Sequence, residues 1–176
     1  VTTDFHMGPW ESIRSIYPSC WGYCSWANRD ESAKSYKERE LINNLIGTVA
    51  SGGQFAYNIG PKGDGTIDAF DSGVVTEVGQ WMQRHPDAIT GARPTWYPAP
   101  NWGKVMTKGN DLYFFPELWS PGKTLTLPSV GGHVTAVTVD GTDRSLEFTQ
   151  DGTTLTVTMS GENPEPNLRP VVKVTF

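Results

Sequence analysis

Over residues 35–49, apolar positions recur at helical spacing. Leu41, Ile42, Leu45, Ile46 and Val49 share one face, while Lys34, Lys37, Glu38, Arg39, Asn43 and Asn44 take the other. The spacing predicts an amphipathic helix, with Ser35 and Glu38 placed as a capping box and Gly52-Gly53 as its end. "QFAYNI" (54–59) follows, a near-continuous apolar run of the kind expected of a strand covered on both faces. A second helical pattern starts after Asp68, its expected N-cap, turns Phe70, Val74, Val78, Trp81 and Met82 inward, and stops before Pro86. Helix, buried strand, loop, helix is the repeating unit of a parallel α/β sheet or barrel.

Helical periodicity disappears after "ARPTWYPAPNW", a stretch with three prolines. The runs "KVMTK", "DLYFF", "KTLTLP", "HVTAVTV", "SLEF", "TLTVTM" and "VVKVTF" then alternate with the turns "KGND", "SPG", "DGT" and "DGT", which predicts an antiparallel β-sandwich. Alternation is clear in "TLTLP" and "HVTAVTV", where most of Leu125, Leu127, Val134, Ala136 and Val139 can be assigned to one of two faces. The expected fold class is thus α/β plus all-β, with residues 1–94 forming βα units and residues 95–176 a sandwich. No repeat of fixed period points to a solenoid or propeller.

Composition narrows the partners. A net charge of -5 without a Lys/Arg cluster argues against nucleic acid and anionic membranes, and the apolar runs are too short to cross a bilayer. Seven Trp and six Tyr are many for 176 residues, and flat aromatic faces suit stacking on sugars as well as core packing. Cys20 and Cys24 are the only cysteines, read as either a disulfide or two small buried thiols, and no His stands near enough to complete a zinc set, so no metal is expected. The N-terminal residues lack a charged and then apolar leader pattern, and export is not legible from them.

Two segments carry candidate chemistry. "NIGPKGDG" (58–65) would sit where a barrel strand exits onto a ligand face, with Asn58 able to donate and accept hydrogen bonds and Gly60, Gly63 and Gly65 letting backbone approach a ligand or merely turn. No Gly-rich phosphate motif or EF-hand fits it. "TDFHMGPWESIRSIYPSCWGYCSW" (3–26) holds Asp4, His6, Glu11 and three tryptophans. A carboxyl group beside Trp10 would lose hydration, the condition a general acid at a glycosidic oxygen needs; the alternative is a surface Glu11 paired with Arg14 one helical step away. Trp21 and Tyr23 serve equally as core rings, and His6 reads as a solvated loop residue.

At these residues the sequence resembles a known family. "PWES", "CWGY", the block "ELINNLIGTVASGGQFAYNIGPKGDGTI" and "VTEVGQWMQRHPDAITGARP" occur in the order found in the C-terminal part of the catalytic domain of family-29 glycoside hydrolases, the α-L-fucosidases. Gln54, Phe55, Ala56 and Tyr57 depart from the Asn and aliphatic residues usual there. The resemblance implies the last units of a (β/α)-barrel followed by a β-sandwich of structural role. It also implies a retaining mechanism whose nucleophile lies upstream, an acid/base at Glu11 or else Asp4, pocket aromatics at Trp10 and Trp21, and strand-end support from Asn58 and Gly60. A whole eight-unit barrel needs about 250 residues, so the remainder is expected from the same or another chain. The implied ligand is a fucosylated oligosaccharide or glycoconjugate, without cofactor, in a secreted, periplasmic or lysosomal setting. The alternative is a non-catalytic carbohydrate-binding or interaction module.

Overall fold

The first half of the chain, in a computed structural model that describes residues 8–176, forms β1 (Glu11–Ser15), α1 (Glu31–Val49), β2 (Gln54–Asn58) and α2 (Ala69–Arg84). β1 and β2 run parallel, Glu11 opposite Gln54 through Ser15 opposite Asn58, and α1 is the crossover between them. α1 buries Leu41, Ile42, Leu45 and Ile46 as the periodicity requires. Its start differs from the expected one. Asp30 holds the N-cap position in extended conformation with no side-chain cap bond, and Ser35 is an exposed residue inside the helix, so Ser35 and Glu38 form no capping box. The first turn carries no strong apolar residue, which hid it from the periodicity. Glu38, placed on the polar face by its type, is buried, and desolvation raises its pKa.

α2 follows its pattern closely. The Phe70 N–H donates to the Asp68 carboxylate at 3.0 Å, and Phe70, Val74, Val78 and Trp81 are buried, with Met82 half-buried. β2 is not covered on both faces: Gln54 is exposed and residues 55–58 are half-buried, because β1 is its one strand neighbour among the described residues. The rings of Phe55 and Tyr57 lie 6.0 Å apart, as the two-residue period of a strand demands. Since residues 11–15 are extended, Glu11 and Arg14 point to opposite faces and the helical pairing between them does not exist. Cys20 and Cys24 are joined as a disulfide, so the two-thiol alternative falls.

The second half contributes α3 (Pro86–Ile89), β3 (Arg93–Pro94), β4 (Gly103–Lys108), β5 (Asp111–Pro116), β6 (Thr124–Leu127), β7 (Ala136–Val139), β8 (Glu147–Asp151), β9 (Thr154–Thr158) and β10 (Val172–Thr175). They form a five-stranded sheet in the order β3-β4-β5-β10-β7 and a three-stranded sheet in the order β6-β9-β8. Every pairing within them is antiparallel. One apolar core joins the inner faces, with Phe114, Val137 and Val172 from the larger sheet meeting Leu125, Leu127, Leu155 and Val157 from the smaller. β5 is central in its sheet, which explains why "LYFF" is buried without alternation. In β7 the inward residues are Val137 and Val139, and Ala136 is exposed, so Ala136 does not share the buried face. By compactness the chain divides into one unit ending at Gln83 and another spanning Arg84–Phe176. No described helix is long and apolar enough to cross a membrane.

Within the second unit, His85 is 2% exposed and holds a carboxylate on each ring nitrogen, Asp140 at 2.7 Å and Glu165 at 3.3 Å. Glu165 also accepts from Arg84 at 2.9 and 3.1 Å. Burial alone would lower the His85 pKa, but the two hydrogen bonds and the two charges outweigh it and raise it; Glu165 is held low by His85 and Arg84 against its own burial. A raised imidazole pKa stabilises the fold fully below the unfolded value of about 6.5 and loses that contribution as pH rises through the folded value. Thermal melts should therefore show the melting temperature falling as pH rises above about 6.5. His85→Gln should flatten that dependence and cost roughly 1–3 kcal/mol at acidic pH.

Candidate active site at the strand ends

The C-terminal ends of β1 and β2 are tied to the loop that follows β1. Asn58 donates through Nδ2 to the Ser15 hydroxyl at 3.1 Å and to the Trp21 carbonyl at 2.9 Å, and Ser15 donates onward to the Cys20 carbonyl. Gly60 is buried beneath the same loop. A Cβ at this position would collide with the Gly22 carbonyl and stand 2.6 Å from the Tyr23 nitrogen. The close approach that glycine permits here is therefore to the protein's own backbone rather than to a ligand.

A charged anchor fixes the rest of the loop. Asp71, on the inward face of α2 and 1% exposed, accepts from the Tyr17 hydroxyl at 2.7 Å and from Arg29 through both carboxylate oxygens at 3.2 Å. Arg29 also donates to the Cys24 carbonyl at 2.7 Å and lies over the rings of Tyr17 and Tyr23, 4.8 and 4.6 Å from their centroids. Burial, then the hydrogen bond to Asp71, pushes the Tyr17 phenol well up. In the neighbouring loop Asp64 binds the Thr66 N–H at 3.0 Å and its hydroxyl at 2.7 Å, bonds that hold its carboxyl below the usual range. With Gly65 at φ +84°, "KGDGT" is a self-closed turn, the bland alternative for this segment. Lys62 spans the two loops, paired with Asp68 at 3.0 Å and 5.6 Å from the centre of the Tyr23 ring.

What this scaffold presents is aromatic. Trp21 is 63% and Trp26 71% exposed. Trp21 also borders a cavity of about 280 Å³ with Ile13, Arg14, Ser15, Glu40 and Tyr57, whose phenol is pushed up by burial. The structure thus brings Trp21, Asn58 and Gly60 together. It does not bring Trp10 and Glu11 to them. The Trp10 indole lies on Gly53, where a Cβ would come within 2.5 Å of the ring, and its Nε1 donates to the Ser51 carbonyl at 3.2 Å. Glu11 opens β1, exposed and opposite Gln54, so four strand steps, roughly 13 Å, separate it from the Ser15 end. Asp4 and His6 lie outside the described residues. No cluster of potential metal ligands occurs among the described residues.

Sequence reasoning missed Asp71, Arg29, Tyr17 and Ser15. Asp71 carried a usable signal: it sits three and seven residues before Val74 and Val78, an acidic side chain in an inward register.

Solved structures share this arrangement of a parallel βαβα unit followed in sequence by an antiparallel sandwich. The α-L-fucosidase from Vibrio sp. strain EJY3 shares the fold with a TM-score of 0.86 at 23% identity, over 98% of this chain and 30% of that one. The α-L-fucosidase isoenzyme 1 from Paenibacillus thiaminolyticus does so with a TM-score of 0.79 at 23% identity, over 95% of this chain and 39% of that one. Among curated relatives, the rat tissue α-L-fucosidase is 30% identical over 148 residues, covering 81% of this chain and 31% of its own length. The α-L-fucosidase family model matches residues 2–87, and the chain belongs to that family of glycosidases. It spans about a third of the length of the curated relatives it matches.

The two glycines of the exit loop separate packing from conformation. Gly60→Ala should cost roughly 1–3 kcal/mol by forcing the loop at residues 22–23 away. Gly63→Ala, whose Cβ would meet nothing within 4 Å, should stay within about 0.5 kcal/mol of wild type in denaturant titrations.

Proposed function

We propose that the chain is the C-terminal portion of a retaining α-L-fucosidase: its part through α2 contributes the last βα units of a (β/α)-barrel, and the antiparallel sheets that begin with β3 are its β-sandwich, a boundary earlier than the 94/95 division expected from the sequence. The observation that carries this reading is the parallel β1–β2 pair, half-exposed, with each strand having one strand neighbour among the described residues. Further parallel strands, from the same or another chain, complete the sheet. Barrel active sites lie at the C-terminal strand ends, which is where the tied loops present Trp21 and the Asn58 network.

The substrate class is a glycan or glycoconjugate with terminal α-L-fucose. A nucleophilic aspartate of the remaining barrel attacks the anomeric carbon while an acid protonates the departing glycosidic oxygen; the same group then deprotonates the water that releases fucose. The two carboxyls named from the sequence for that role are Glu11, exposed at the start of β1, and Asp4. Trp21 forms pocket wall, Asn58 orients the loop, and Trp10 with Gly60 acts through packing. The Cys20–Cys24 disulfide favours an oxidising compartment, as in a secreted, periplasmic or lysosomal enzyme.

Residues 1–176 alone should release nothing from an aryl α-L-fucoside, since the covalent step lacks its nucleophile. In the full-length protein, Glu11→Gln and Asp4→Asn assayed side by side should separate the two: the variant that removes the acid/base lowers kcat by about 10²–10⁴, with azide restoring part of the rate on an activated aryl fucoside, and the other stays within a few-fold of wild type. Azide-rescued loss at neither carboxyl would reject both as the acid/base, and no fucoside turnover by the full-length protein would reject the reading.

A further inference from the structure

The open end of the sandwich holds a second cavity, about 350 Å³, at the low end of the range for small-molecule sites. It lies where residues just before β4, just after β5, at the start of β6 and just after β9 converge. Trp102, Leu125 and Met159 form an apolar floor, and Asn101, Glu117 and Lys123 supply an amide, a carboxylate and an ammonium.

Two features mark the cavity as preformed. The Trp102 indole is fixed across both sheets, its Nε1 donating to the Thr126 carbonyl of β6 at 2.9 Å while its ring packs 5.0 Å from that of Phe114 in β5. The rim is pinned as well: Glu117 N–H donates to the Trp102 carbonyl at 2.8 Å, Gly122 N–H to that of Met159 at 2.8 Å, and Met159 N–H to that of Lys123 at 2.9 Å. Binding there orders little that is not already ordered. Leu118 stands 78% exposed at the mouth, an apolar contact left facing water. One acid and one base cancel in charge, so the lining offers donors and acceptors without favouring an ion. An apolar, aromatic-edged floor with a charge-balanced polar rim is complementary to a pyranose, which has C–H faces and a ring of hydroxyls.

We propose that this cavity is a non-catalytic binding site for a neutral saccharide unit, giving the sandwich a recognition role beside its structural one. It is independent of the fucosidase reading, because its test involves no turnover.

The 176-residue chain should be titrated with L-fucose, D-galactose and lactose, with D-glucuronate and D-glucosamine as charged controls, followed by saturation-transfer NMR and tryptophan fluorescence. At least one neutral sugar should bind saturably with Kd on the order of 1 mM and above both controls. The Glu117→Ala/Lys123→Ala double variant and Trp102→Ala should each weaken that binding about tenfold or more, and Trp21→Ala should leave it unchanged. The double variant changes only exposed residues, so an unaltered melting temperature ties its loss of binding to the cavity. Absence of saturable binding by every neutral sugar, equal binding of the controls, or loss on Trp21→Ala with retention in the double variant would each overturn the proposal.

Discussion

The strand-end region depends on one buried charge. Asp71 is nearly inaccessible on the inward face of α2, and a carboxylate there is tolerable only because Tyr17 and Arg29 complete its hydrogen bonding. Those two residues come from the segment after β1, so satisfying the charge fixes the path of that segment. Arg29 extends the constraint to the Cys24 carbonyl, Asn58 extends it to Trp21, and the backbone at residues 22–23 is then pressed onto Gly60. Electrostatics sets the loop's position, and the missing side chain at Gly60 sets its depth.

Legibility in the sequence followed the strength of the local signal. α2 could be read from Asp68 to its last turn because cap, apolar face and stop agree. The β-rich half was legible because paired turns and alternating residues recur, and "DLYFF" stood out because a central strand loses its polar face. The first turn of α1 was not, since exposed polar residues there carry no periodicity. Glu38 was assigned outward by residue type although its register is inward, and Asp71 escaped notice for the same reason. The composition of "QFAYNI" suggested burial on both faces, but burial depends on neighbours, and neighbours are not written in the strand.

The candidate site was legible in part. Trp21, Asn58 and Gly60 do assemble, through contacts made across more than thirty residues of sequence. Trp10 and Glu11, grouped with them by the family resemblance, stand at the opposite end of the strands. Proximity in sequence could not reveal at which end of that five-residue strand each residue stands.

The manner in which the loop is held also explains how it exposes so much aromatic surface. A loop fixed by apolar packing would turn Trp21, Tyr23 and Trp26 inward; here the polar contacts of Arg29, Asp71 and Asn58 do the fixing, and the rings are left free to face outward. Arg29 contributes twice, since its guanidinium pairs with Asp71 while its face covers Tyr17 and Tyr23. Opening the loop would strand the Asp71 carboxylate inside the unit, so its local stability is coupled to that of α2 rather than to its own few apolar contacts. In the sandwich, Trp102 is held by a single hydrogen bond and an apolar neighbour, and its ring becomes part of the wall it borders.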